Sequence, residues 1–263
     1  MQRIHILLFL LIVLMGQASA VSPLSKVDSL FANRNQNFNF DTLQADSTII
    51  NQAIRTCHTI TDTASNRELV REAVWRGLQA YYYKGHFVAQ TNKQKQQVYN
   101  TGIKFGEPYV DEFPDSAELH CWMGILWSRW AEVYGIFAAA RKGVAGKVKF
   151  FAEKTIQLDE DYLGAGGYRM LGMVHLEVPN IPLFLSWPNK DKGLELLKKG
   201  HEMAPHDLFN KYYYAVGLLE FDYKAQAREM LNAVINETET RHGPALDAFI
   251  QQKATRLLNE IQN

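Results

Sequence analysis

Few residues in this sequence have the types needed for chemistry, and their spacing suits little of it. Cys57-His58 and His120-Cys121 supply zinc-ligand types. Successive residues of a helix point about 100° apart, so neither pair can chelate as a unit, and half-buried packing is expected for both. The two cysteines fall in different helical units, and the sequence leaves their pairing open. Asp159, Glu160 and Asp161 cluster at a turn and read as solvated, helix-capping acids. Asp115, Glu118 and Glu132 have no spacing that pairs them as acid and base. Gly164, Gly166 and Gly167 precede a helix but follow no strand, so they read as a close turn rather than a phosphate cradle. His-Glu-x-x-His, Gly-x-Ser-x-Gly and Walker motifs are missing from the sequence. No catalytic residue, metal ligand or cofactor is therefore assigned. The chain is expected to bind rather than to catalyse, with a helical hydrolase or lyase as the alternative from a different class.

Recognition chemistry is better represented. Tyr81-Tyr82-Tyr83 and Tyr212-Tyr213-Tyr214 form two triples, and Trp122, Trp127, Trp130 and Trp187 accompany them. Three successive helical side chains cannot all point into one core, so at least one ring of each triple is expected to face a groove or solvent. Tyr and Trp combine apolar area with a polar edge, which suits binding. If the first helix of each repeat lines a concave surface, Arg76 and Tyr83, Ile125 and Arg129, Arg169 and Met173, and Tyr212 and Val216 share that surface. Three Arg among rings and aliphatic groups suit an extended peptide or an amphiphilic organic acid, with a guanidinium fork on the carboxylate. Trp187, in an inserted loop, is the second candidate region. On this reading Arg169→Ala and Tyr212→Ala weaken binding with the melting temperature nearly unchanged; taken alone, Arg169 is read instead as satisfying carbonyls at the repeat turn.

The elements that would position these residues follow a repeating pattern. Trp75, Leu78, Gln79 and Tyr82 fit the first helix of a tetratricopeptide unit; His120, Met123, Gly124 and Trp127 fit a second. Tyr168, Leu171, Gly172 and His175 fit a third, and Lys211, Tyr214, Ala215 and Leu218 a fourth. Partner helices follow in phase, through Gly102 and Gly106, Val148 and Ala152, Gly193 and Leu197, and Ala227 and Leu231. Small residues recur because the two helices of a pair must approach closely. The expected fold is an all-α, tetratricopeptide-repeat-like α-solenoid of about four degenerate helical hairpins. A helix over 245–261 caps its C-terminal end. The spacings of 45 residues from Leu78 to Met123, 48 to Leu171 and 43 to Tyr214 exceed the usual repeat of about 34. The excess is placed near 85–97, 135–146 and 176–189, inside each hairpin.

Residues 1–20 carry one Arg, an apolar run and Ala18-Ser19-Ala20, the pattern of a secretory signal peptide cleaved before Val21. No Cys follows the run, so attachment through a lipidated N-terminal Cys is not expected, and no transmembrane helix is expected in the mature chain. Residues 21–64 read as a polar, half-ordered segment and a first helix over 42–58 capped by Asp41; Ser65 is the expected cap of the next. The repeat domain occupies 65–263. Lys and Arg number 28, as do Asp and Glu. That balance argues against nucleic acid and against electrostatic attachment to a membrane. The local basic group Arg141, Lys142, Lys147 and Lys149 reads as a solvated turn.

Several of these stretches resemble a known family. GAGGYRMLGMVHLEVP with the Trp-containing turn after it, LELLKKGHEMAPHD and NKYYYAVGLL are similar to the T-component proteins of tripartite ATP-independent periplasmic (TRAP) transporters. So are AYYYKG at 80–85 and HCWMGILWSRWAEVYGIFAAARKG at 120–143. The chain resembles, more distantly, the C-terminal repeats of eukaryotic regulators of microtubule dynamics. The first resemblance implies an exported, periplasmic helper of a TRAP-type uptake system. Its partner would be a solute-binding protein or a small amphiphilic ligand. A general envelope scaffold binding other proteins is the alternative, and self-association into a homo-oligomer is left open.

Overall fold

The computed structural model describes residues 22–180 and 185–261; the expected signal segment, 1–20, lies outside them. The described residues form twelve α-helices in the order α1 (Pro23–Ala32), α2 (Ser47–Thr63), α3 (Arg67–Tyr83), α4 (Asn92–Val110), α5 (Ala117–Tyr134), α6 (Ile136–Arg141), α7 (Val144–Leu158), α8 (Tyr162–Glu177), α9 (Lys190–Met203), α10 (Leu208–Glu220), α11 (Lys224–Ile235) and α12 (Pro244–Glu260). A π-helical turn, Lys84–Val88, extends α3. No strand longer than an isolated bridge occurs among the described residues.

Helix starts follow side-chain capping. Asp46 accepts from Thr48 N, Asn66 from Leu69 N and Ser116 from Leu119 N. Thr91 and Gln94 form a reciprocal capping box at the start of α4, so 90–97 is an exposed first turn rather than a loop. These bonds satisfy amide groups that a helix start leaves unpaired. Two expected caps are corrected by them. Asp46, not Asp41, opens α2, because Leu43 stands at positive φ and interrupts any earlier helix. Asn66, not Ser65, opens α3. The segment read as half-ordered also contains α1, whose Pro23 sits in the first turn, where no amide partner is needed.

Each helix packs on the next, and α3, α5, α8 and α10 also touch one another in turn. That is the layering of an all-α solenoid, with α3/α4, α5/α7, α8/α9 and α10/α11 as its four hairpins. The expected helix pairs and cap are present, and α6 occupies the second insertion. Two buried clusters result, one from Val27 to Leu171 with Ala245 of α12 and one from Leu208 to Ala254; Leu246 and Phe249 of α12 pack against both. Phe249 reaches the π turn, with ring centroids 4.2 Å from His86 and 6.3 Å from Phe87. Gln252 donates to Phe40 O at 3.2 Å. The capping helix therefore meets the first repeat, and the array closes upon itself.

Candidate functional site

On the inner layer of helices, Arg129 of α5 has a largely buried side chain, while its partner Glu132 is exposed. Arg129 Nη1 donates to both Glu132 oxygens at 2.7 Å, and Nη2 to the Tyr213 hydroxyl at 3.4 Å. The guanidinium lies 5.9 Å from the Tyr82 ring centroid. Its Nε is buried without a hydrogen-bond partner in the protein. Burial opposes the Arg129 charge, but Glu132 and the hydroxyls of Tyr213, Tyr82 and Tyr99 outweigh it and hold its pKa well above the usual value. Burial also pushes the Tyr82 hydroxyl up to about 12. From α12, Lys253 Nζ stands 5.1 Å from the Tyr212 ring and 5.9 Å from that of Tyr213.

Glu177, at the end of α8, completes the set. Its side chain keeps exposed surface, yet desolvation, and then Glu132, raise its pKa. Glu177 also lines a cleft with His175, Pro188, Asn189 and Glu220 at the end of α8. His86 forms the dry end of the inner face, stacked on Tyr82 at 5.4 Å and edge-on to Phe249. Burial holds its pKa well below the usual value, helped by Arg129, Lys95 and Lys253. The arrangement offers one fixed guanidinium, one ammonium, carboxylates as acceptors and the rings of Tyr82, Tyr212, Tyr213 and Phe249 beside the two cations. It can orient a small polar head and cover an apolar body.

The expected groove residues do not all meet there. Arg76 is held by Asp28 and Glu72, each at 2.6 Å, and lies over the Trp75 ring. Tyr83 is buried, donating to Asn35 Oδ1 at 2.7 Å. The α1 segment covers both, so that end of the groove is filled by the chain itself. All three rings of the first triple are buried: Tyr83 under the α1 segment, Tyr81 against His58 and Phe105, and Tyr82 against His86 and Trp122 on the side of Arg129. In the second triple Tyr212 is buried, while Tyr213 and Tyr214 stay half-exposed, as expected. Ile125, Met173 and Val216 are half-buried on the inner helices. Trp187 packs edge-on to His175 at 5.2 Å, with Lys149 Nζ 5.6 Å from its ring. The groove set read from sequence lacked Glu177, His86 and Lys253; Glu132 was named among the acids and Tyr213 in the second triple, but neither was placed beside Arg129. Glu132 also stands three residues from Arg129 on one helix face.

Arg169 serves the fold instead. Its Nη1 donates to Asn210 Oδ1 at 2.6 Å and Asp207 Oδ1 at 3.3 Å, and Nη2 to Leu163 O at 3.4 Å. Asn210 Nδ2 donates to Gly164 O and Gly200 O, both at 2.8 Å. These bonds clamp Leu163, Gly164 and Ala165, which are all left-handed, with φ of 53°, 61° and 58°. Such a run costs about 1–2 kcal/mol for each non-glycine residue and persists because the network holds it. The glycine-rich stretch is thus the close turn that the sequence suggested. Asp161 at its start makes no side-chain cap bond. Cys57 and Cys121 are free and buried, and burial pushes each thiol up to about 12, so neither is a ready nucleophile. Among the described residues no three His, Cys, Asp or Glu gather as a metal site.

The family model described as Regulator of microtubule dynamics protein 1-3 matches residues 39–186, more than half of the chain. The chain belongs to this family. A search of curated proteins finds no match. Of the two resemblances read from the motifs, the more distant is therefore the one the match supports. The regulator of microtubule dynamics segment runs from before α2 to the insertion after α8. It includes Arg129, Glu132 and Glu177; Tyr213 and Lys253 come from the helices beyond it.

Proposed function

We propose that this protein is a non-enzymatic, exported binding module that holds a small amphiphilic ligand on the inner helical face around Arg129. The observation that carries the reading is the Arg129 side chain itself. Its guanidinium is largely buried, fixed by Glu132 and Tyr213, and left with a buried, unpartnered Nε. A guanidinium held in one orientation among rings and acceptors suits an acidic head group. The aromatic faces of Tyr82, Tyr213 and Phe249 suit the apolar part of such a ligand. Closure by α12 favours a compact ligand over an extended peptide. Export rests on the pattern of residues 1–20, and a role beside a solute-binding protein of a TRAP-type system rests on motif resemblance alone.

Native mass spectrometry of protein purified from its own envelope tests the ligand. A retained small molecule is expected, lost in Arg129→Ala and Tyr213→Phe at unchanged helical circular dichroism. A wild-type protein that carries nothing, or variants that retain the same mass, would overturn the reading. N-terminal sequencing of the same sample is expected to begin at Val21; an intact Met1 would refute export by cleavage.

A further inference from the structure

The second insertion carries a feature that ligand binding around Arg129 does not use. Helix α6 stands between Gly135 and Gly143, with φ of +84° and +62°, and a Cβ at either glycine would meet nothing within 4 Å. The helix rests on the core through Ala138 and Ala139 and turns its other side outward. Its first residues are the most exposed large apolar side chains here: Ile136 is 60% exposed and Phe137 83%. Phe150, on the following helix, is 46% exposed. From Val133 to Ala152 the sequence contains no acid and has four bases, Arg141, Lys142, Lys147 and Lys149. Lys149 is paired with Glu153. No ion pair among the described residues involves the other three, and all three are exposed. Lys147 Nζ lies 4.4 Å from the Trp127 ring and Lys142 Nζ 5.9 Å from that of Trp130, so rings underlie the charges.

We propose that this edge docks on an anionic phospholipid bilayer, with Ile136 and Phe137 entering the headgroup region and Arg141, Lys142 and Lys147 meeting phosphates. Exposed apolar side chains rimmed by unpaired bases match an interfacial surface in both parts. A protein partner fits less well. A standard interface covers roughly 800 Å² on each side, and a helix of six residues offers no comparable face. A fluid bilayer needs only a few inserted side chains and a charge of opposite sign. The overall charge balance hides this surface, because the acids that offset these bases lie elsewhere in the chain. The cleft that Lys147 and Phe150 line also carries Glu107 and Asp111 of α4; Arg141 and Lys142 do not line it and carry most of the charge of the docking face.

Vesicle co-sedimentation of the exported form, beginning at Val21, tests the proposal. The protein is expected to sediment with phosphatidylglycerol-rich vesicles and to remain in solution with pure phosphatidylcholine. Phe137→Ser with Ile136→Ser, and separately Arg141→Gln with Lys142→Gln and Lys147→Gln, should each reduce sedimentation about tenfold or more. Both sets change exposed side chains, so the melting temperature should hold, and high salt should weaken the wild type. Wild-type protein that ignores both vesicle types, or variants that sediment like wild type, would overturn the proposal. So would concentration-dependent dimerisation abolished by Phe137→Ser, which would assign the patch to a second copy of the chain. None of these outcomes depends on the ligand at Arg129.

Discussion

A Cβ placed on Gly172 would stand 2.8 Å from Leu197 Cγ and 3.0 Å from the Gly193 carbonyl oxygen. Gly193 answers in kind, since its own Cβ would stand 3.0 Å from Gly172 O. The α8/α9 hairpin therefore packs backbone against backbone, with Leu197 filling the only gap. The sequence assigned these positions to the touching faces from repeat spacing alone.

Gly172→Leu is expected to lower stability by about 1–3 kcal/mol through overpacking. Gly172→Ala should also destabilise, because the carbonyl cannot swing aside as a side chain can. Thermal melts of both variants check this; unchanged melting temperatures would refute the hairpin contact.

Repeat spacing was legible because glycines and large apolar residues recur at fixed offsets, as at Gly172 and Leu197. Closure was not legible. It depends on Phe249 meeting His86, residues 163 positions apart, and no local pattern encodes that meeting. For the same reason, sequence spacing named Arg129 but not Lys253, and could not show that α1 would cover Arg76 and Tyr83. Local periodicity marks which face of a helix is inward; it does not say what fills the space that face looks into.

Acid stability should reveal the dry end of the inner face. Burial keeps His86 neutral in the folded chain well below its usual pKa. The unfolded chain takes up that proton as pH falls below about 6.5, so stability falls as pH drops through that range. One such proton contributes a slope of about 1.4 kcal/mol per pH unit. His120, His175 and His201 are shifted in the same direction by burial. His86→Gln should therefore flatten the denaturation profile between pH 6.5 and 5 without levelling it, and an unaltered slope would contradict a buried neutral imidazole.

The Arg169 network makes a prediction opposite to the one drawn from sequence. Asp207 is buried, and burial alone would raise its pKa; Arg169 and His242 reverse that and hold it below the usual carboxylate range. Its contribution to stability is present above about pH 4 and lost as pH falls through the lower folded value. Arg169→Ala removes the largest of these opposing charges, and it also frees the left-handed turn at Leu163. A loss of about 3–5 kcal/mol is expected, with acid unfolding moved to higher pH. Equilibrium denaturation at pH 7 and pH 4 measures both. A variant that melts like wild type would return Arg169 to the list of candidate ligand-binding residues.

Closure itself can be tested at Phe249. Its ring joins both buried clusters and stands against His86 and Phe87, while α12 also packs on α10 and α11. Phe249→Ala therefore weakens the link to the first repeat, which Ala245, Leu246 and the Gln252–Phe40 bond also make, and leaves the helix attached to the last. Because the ring is only partly buried, the cost should fall below the roughly 3–5 kcal/mol of a fully buried Phe→Ala change. The local effect should be larger than the global one. Amide hydrogen exchange is expected to rise in the π turn Lys84–Val88 and in α12, with little change in α8 and α9, whose packing does not pass through this ring. Lys253 lies one turn further along α12, so the surroundings of Arg129 should loosen and any retained ligand should dissociate faster. Exchange that rises evenly along the chain, or that leaves the π turn protected, would show that α12 does not close the array.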